Sequence, residues 1–276
     1  MDQNLKILRV FPTRTSYTPD DPLVYCANGL KQVPMLCLFP EFDEIHISCI
    51  FTWDKALCEE LAYQFRGITD KPVKLGGPAF KSPTKDFKQG LYIKKNITFT
   101  SRGCNNNCTW CIVPKIEGKL KELPVCSGNI IQGNNFLQTS RQHQDKVFEM
   151  LKTQSRICFK GGLEPDLITD HFVESVRGLR IKELWLACDT DGAITTFEKS
   201  CKKLFNAGFK RHHIKCHALI GDDMNKNEER LHRIYRAGAM PFAQLLREFS
   251  PVKTRYSTEW NAFCRSWQRP PAIGAI

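Results

Sequence analysis

From residue 92 onward, short apolar runs alternate with longer stretches whose apolar residues recur every three or four positions. The runs at 97–100, 156–160, 183–188, 213–220 and 240–245 are nearly continuous in apolar character, as strands buried on both faces of a parallel sheet are. Between them, 140–153, 167–177, 193–207, 225–237 and 258–267 carry the helical period. Gly178, Gly208 and Gly238 fall at or just past helix ends, where a left-handed cap favours glycine. This alternation predicts an α/β fold whose right-handed βα units curve into a partial (β/α) barrel of five to six parallel strands. Five strands stand out, and a sixth unit is either missing or disguised in the irregular stretch 121–139.

Residues 1–91 predict a smaller, open α/β layer. Strands are expected at 6–10, 35–39 and 44–51, then a helix at 53–65 with Ala56, Leu57, Leu61 and Phe65 near one face and Thr52 or Asp54 as its cap. A short strand at 73–75 runs into Gly76, Gly77 and Pro78. The polar, turn-rich segment 81–90 reads as a linker or long surface loop. It divides a small N-terminal domain, 1–91, from a core, 92–276. No internal repeat or low-complexity tract is present.

The chemistry concentrates directly after the first core strand, in Ser101-Arg-Gly-Cys-Asn-Asn-Asn-Cys-Thr-Trp-Cys-Ile-Val-Pro114. Cys104, Cys108 and Cys111 stand in C-x3-C-x2-C spacing, which can close a short loop over one metal centre. Iron–sulfur clusters normally take four protein ligands, and three thiols leave one iron open to a small molecule. A structural zinc site is the competing reading. It needs four ligands, usually in paired C-x2-C knuckles; only Cys108 and Cys111 form such a pair, with His143 as a conceivable fourth ligand. Three unrelated core cysteines fit poorly with three consecutive Asn.

The three cysteines, the aromatic Trp110 and the preceding strand resemble the radical S-adenosylmethionine (SAM) superfamily, whose signature is C-x3-C-x-aromatic-C. The resemblance implies that Cys104, Cys108 and Cys111 hold a [4Fe-4S] cluster and that Trp110 lies near the SAM adenine. It further implies that reductive cleavage of SAM yields a 5′-deoxyadenosyl radical that abstracts hydrogen from a substrate. Gly161, Gly162 and Glu164 resemble the Gly-Gly-Glu motif that binds the SAM amino group, with Leu163 inserted; a capped strand-to-helix turn is the plainer reading. Asp189 matches polar residues that bind ribose hydroxyls, or it caps the following helix. Ile220 and Gly221 resemble the segment that lines the adenine pocket, or they simply pack. The segment 45–78 resembles the latter half of a cobalamin-binding domain. It lacks the D-x-H-x-x-G motif, so a degenerate relic without cobalamin is expected and His46 is read as a packed or surface residue. Cys26, Cys37, Cys49 and Cys58 lack the spacing of a second cluster.

The net charge is +11, with basic residues gathered at 94–95, 115–121 and 202–215. Such an excess favours an anionic partner without naming it, so a modified nucleoside or nucleic acid is the expected substrate, with an anionic small molecule or a peptide as the alternative. No compact nucleic-acid-binding motif accompanies it. The alternative function is a zinc- or cluster-stabilised nucleic-acid-binding protein without catalysis. An external electron donor, flavodoxin- or ferredoxin-like, is implied for the enzyme. No apolar run is long enough to span a bilayer and no signal-peptide pattern opens the chain. A cytoplasmic location is therefore expected, where the 13 cysteines stay reduced.

Overall fold

The computed structural model describes residues 5–80 and 89–268. The chain divides into two units, Met1–Lys95 with Glu248–Thr254, and Asn96–Arg247 with Arg255–Ile276. Of the segment expected as a linker, residues 81–88 lie outside the described residues.

In the first unit, β1 (Ile7–Phe11), β2 (Val24–Cys26), β3 (Glu44–Ser48) and β4 (Val73–Gly76) form a parallel sheet in the order β2-β1-β3-β4. Helix α1 (Lys55–Ile68) follows β3 and buries Cys58, Leu61, Ala62 and Phe65, which recur at helical spacing. They pack on Leu8, Val10, Ile45 and Ile47. Glu44 and His46 occupy the other face of β3, because successive strand residues point to opposite sides. The His46 ring nitrogens lie 2.6 Å from the Tyr92 hydroxyl and 2.7 Å from Glu44 Oε2. Two expectations are corrected here. The strand expected at 35–39 is instead a 3-10 turn, Leu36–Leu38, with Met35 and Leu38 exposed, and β2 pairs with β1 at the sheet edge. Neither Thr52 nor Asp54 caps α1: Asp54 makes no capping bond, and the Thr52 hydroxyl donates to the Ser250 carbonyl.

The second unit opens with β5 (Ile97–Thr98), β6 (Ser101–Arg102), α2 (Val113–Glu117) and β7 (Lys121–Glu122). It continues through β8 (Ile130–Ile131), α3 (Arg141–Lys152), β9 (Ile157–Leu163), α4 (Asp170–Arg177) and β10 (Ile181–Ala187). The last elements are α5 (Ile194–Asn206), β11 (Ile214–Ile220), α6 (Met224–Arg236), β12 (Met240–Leu245) and α7 (Thr258–Ser266). Six strands make one parallel sheet in the order β12-β11-β10-β9-β8-β5. The order follows the chain without reversal. The sixth strand is β8, inside the irregular stretch; with two residues, it is too short to show a period. Ser140, Thr169, Asp223 and Ser257 accept a backbone N–H at the first turns of α3, α4, α6 and α7, a cap worth about 1 kcal/mol each. Gly178 stays right-handed at φ −79°, unlike the left-handed Gly208 and Gly238.

β10, β11 and the later part of β12 are not buried on both faces as their apolar runs suggest, whereas β5 and Ile157, Cys158 and Phe159 of β9 are. Leu184, Leu186, Ile214, Cys216, Ala218, Ile220 and Ala243 join residues of α3 to α6 in the main core. Their alternates Glu183, Trp185, Lys215, His217, Phe242 and Gln244 are only half-buried. The sheet therefore has one packed face and one partly open face. The sequence reading missed this because Trp185 and Phe242 count as apolar wherever they point.

Candidate functional site

The cysteines lie in the loop between β6 and β7, whose antiparallel pairing of Ser101 with Glu122 and Arg102 with Lys121 closes its base. Glu117 holds the loop from inside: its carboxylate accepts the Gly103 N–H at 2.9 Å and also binds the Arg102 guanidinium and the Asn134 amide. Gly103 has φ +77°, and a Cβ there would sit 2.3 Å from the Lys119 carbonyl oxygen. Only glycine allows that approach. The Cys104 N–H donates to Gly118 O at 3.1 Å, and the Cys111 N–H to Cys108 O at 3.1 Å. All three thiols are partly exposed. Cys104, Asn105, Asn106, Asn107, Pro114, Gly118 and Lys119 line a cavity of 610 Å3.

Amide side chains tie this loop to the end of β9. Gln138 Oε1 accepts the Asn105 N–H at 2.9 Å and the Cys104 thiol at 3.7 Å. Its Nε2 donates to Asn106 Oδ1 at 2.8 Å and to Glu164 Oε2 at 3.2 Å. Asn106 Nδ2 and Asn135 Nδ2 reach the same Glu164 oxygen at 3.0 and 2.7 Å. Asn135 and Gln138 were not singled out from the sequence, because isolated amides in an irregular stretch carry no periodic or spacing signal; Asn106 was noted only as one of the three consecutive Asn of the loop.

Glycine and leucine bring Glu164 to this position. β9 runs on through Gly161 and Gly162, beyond the strand expected to end at residue 160. A Cβ on Gly161 would lie 1.9 Å from Gly133 O, so the loop after β8 presses against the strand there. Gly162, at φ +80°, faces open space. The inserted Leu163 is buried in the main core, and Glu164 emerges beside the cysteine loop.

Burial pushes the Cys108 thiol up, and the charges of Cys111, Cys104, Asp189 and Glu164 push it further, which puts these groups in one electrostatic neighbourhood. Burial likewise raises the Asp189 carboxyl; the Leu219 N–H, 3.0 Å from Asp189 Oδ1, and Arg230 oppose that rise. Asp189 therefore bonds to the end of β11, while α5 has no side-chain cap. Buried Arg230 fixes the same corner by donating to Asp191 at 2.8 Å, to Asn227 at 2.7 Å and to the Leu219 carbonyl.

The remaining sequence candidates divide. Trp110 is 37% exposed beside the cysteines. Ile220 is 2% exposed and belongs to the main core. A Cβ on Gly221, at φ +142°, would lie 2.7 Å from the Tyr256 hydroxyl. His143 is buried, with Nε2 2.9 Å from Thr100 O and Nδ1 3.7 Å from Glu122. Among the described residues, no three His, Cys, Asp or Glu side chains converge as a ready metal-binding group. No known family model matches the chain, and no curated protein matches it in sequence.

Proposed function

We propose that this chain is a radical SAM enzyme acting on a nucleoside or nucleic-acid substrate, with a degenerate cobalamin-domain-like layer at 1–91 and a partial (β/α) barrel core at 92–276. The observation that carries the reading is the amide bridge through Asn106 and Gln138, which joins the three-cysteine loop to Glu164. The strictly sequential parallel order of six strands supports the barrel.

The donor set fits a [4Fe-4S] cluster held by Cys104, Cys108 and Cys111: three partly exposed thiols share one loop, and Cys104 lines its cavity. When bound, the cluster and SAM supply a one-electron reductive cleavage that delivers a 5′-deoxyadenosyl radical for hydrogen abstraction. Around them, Glu164, whose Oε2 is engaged by the three amides, would bind the SAM ammonium. Asp189 would accept from ribose hydroxyls, and Gly162 would leave room for the cofactor backbone. Trp110 and Gly221 would contribute to the adenine site, with Ile220 supporting it from the core. A flavodoxin- or ferredoxin-like donor delivers the electron in the cytoplasm.

Anaerobic reconstitution tests this. The wild type should bind iron and form 5′-deoxyadenosine with SAM and a reductant, and Cys104→Ala, Cys108→Ala and Cys111→Ala should each lose both. Full iron content in any one variant removes that cysteine from the ligand set. A colourless wild type with stoichiometric zinc would instead support the non-catalytic nucleic-acid-binding reading.

A further inference from the structure

The partly open face of the large sheet holds a group of side chains with no part in the site above. On β9 and β10, Lys160 Nζ lies 3.7 Å from Glu183 Oε2 and 5.7 Å from the centre of the Trp185 ring. The Trp185 indole N–H donates to Glu183 at 2.9 Å. On β11, the His217 imidazole lies against Trp185 at 4.5 Å between centroids, tilted by 30°, and Phe242 of β12 meets both rings edge-on at 5.5 and 6.2 Å.

His217 Nδ1 is buried and has no hydrogen-bond partner among the described residues. Burial lowers the His217 pKa to about 4, against the pull of the Lys160 carbonyl; the Lys160 ammonium lowers it further. The imidazole is therefore neutral at physiological pH, and a neutral imidazole has one acceptor nitrogen. An unpaired buried acceptor carries a desolvation penalty, which a ligand N–H would recover. The Lys160 ammonium, close enough to act on His217, supplies a donor for a carbonyl oxygen. The half-buried Trp185 indole, with His217 tilted by 30° beside it and Phe242 edge-on to both, supplies the apolar ring against which a base can stack.

We propose that this face binds a nucleobase through a lactam edge, its N–H donating to His217 Nδ1, its C=O accepting from Lys160 and its ring against Trp185. That edge belongs to guanine and uracil; adenine and cytosine have no ring N–H beside a carbonyl. Trp185, Ala187 and Asp189 share one side of the strand line. At about 3.3 Å per residue, Trp185 stands roughly 13 Å along that line from Asp189, a residue of the proposed SAM site. The inference rests on the radical SAM reading only in naming its substrate class; base binding itself requires neither cluster nor SAM.

The test uses the full chain without iron or SAM, titrated calorimetrically with the four ribonucleoside 5′-monophosphates and with short oligouridylate and oligoadenylate. The guanosine or uridine nucleotide should bind at least tenfold tighter than those of adenosine and cytidine. His217→Ala and Lys160→Ala should each erase most of that preference, while Trp185→Phe, which keeps a ring, should retain it. Circular dichroism confirms that each variant is folded. Free nucleotide and RNA are distinguished by whether the mononucleotide alone shows the effect or only oligouridylate does; either, if lost in His217→Ala, supports the proposal. Binding to none of these probes, or unchanged selectivity in folded His217→Ala, overturns it. Iron content and SAM cleavage of the same variants, unchanged in that event, would show that only the substrate assignment has failed.

Discussion

At the scale of the residue, two side chains are set by their surroundings in ways that can be measured. Glu164 receives three amide donors on Oε2, which orient the carboxylate while keeping its charge. Removing that charge with Glu164→Gln should leave iron content unchanged and weaken SAM binding by about 10- to 150-fold, the worth of a charged hydrogen bond at about 1.5–3 kcal/mol. Equilibrium dialysis against labelled SAM reads this, and unaltered affinity would remove Glu164 from the site. His217 makes a prediction about acid. Its folded pKa of about 4 lies below the unfolded value of about 6.5, so between those limits the unfolded chain binds the extra proton. Stability due to a neutral His217 is thus complete above about pH 6.5, declines as pH falls and is lost near pH 4, by on the order of 3 kcal/mol. Urea unfolding of wild type and His217→Gln at pH 7.5 and 4.5 isolates this contribution. A stability difference between the two proteins that stays constant with pH would refute it.

Among elements, close backbone approach matters more than length. Gly161 of β9 meets the Gly133 carbonyl, whereas the neighbouring Gly162 opens onto space at φ +80°. Gly161→Ala should therefore destabilise the second unit by about 1–3 kcal/mol or more, as overpacking does, and loosen the cysteine loop. Gly162→Ala should cost about 1–2 kcal/mol through its left-handed backbone alone. Denaturant titration ranks the two, and the reverse order would contradict the close approach at Gly161. The longer elements were legible in the sequence because each carries a period: β9 to β12 and α3 to α7 fall within a few residues of their expected bounds. The cysteine loop was legible because its spacing is itself the chemistry. The two-residue strand β8, and Glu248–Thr254 joining the first unit, were not, because they are defined by partners distant in sequence; β5, by contrast, lies within the strand expected at 97–100. The amide cluster at Asn106, Asn135 and Gln138 stayed hidden for the same reason.

For the molecule as a whole, the excess positive charge has no single address. Within the 202–215 patch, Arg211 donates to the Tyr235 carbonyl and stacks 4.1 Å from its ring. Lys203 pairs with Asp170 at 3.1 Å, and Lys215 stands on the sheet opposite Trp185. Lys119 lines the cavity of the cysteine loop, and Lys115 lies in the helix that closes it. If RNA binds, replacing Lys115 and Lys119 with Gln should lower the log–log salt slope by about one unit for each phosphate left unneutralised, and replacing Lys202 and Lys210 should change it less. Absence of RNA binding by the wild type at low salt would confine the search to small substrates. In the first unit, both His46 nitrogens are engaged, and the protein should retain no cobalamin after reconstitution; a stoichiometric complex would reverse that reading. The unreversed order of the large sheet also bears on the timing of synthesis. Each strand from β9 onward docks on one already made, so the sheet can grow from a single edge as the chain leaves the ribosome. The three thiols emerge with the earliest strand, before Gln138, Glu164 and Asp189 exist. A nascent chain thus carries its cysteines without the groups that later surround them, and if they hold a cluster, oxidation during translation competes with iron delivery afterwards.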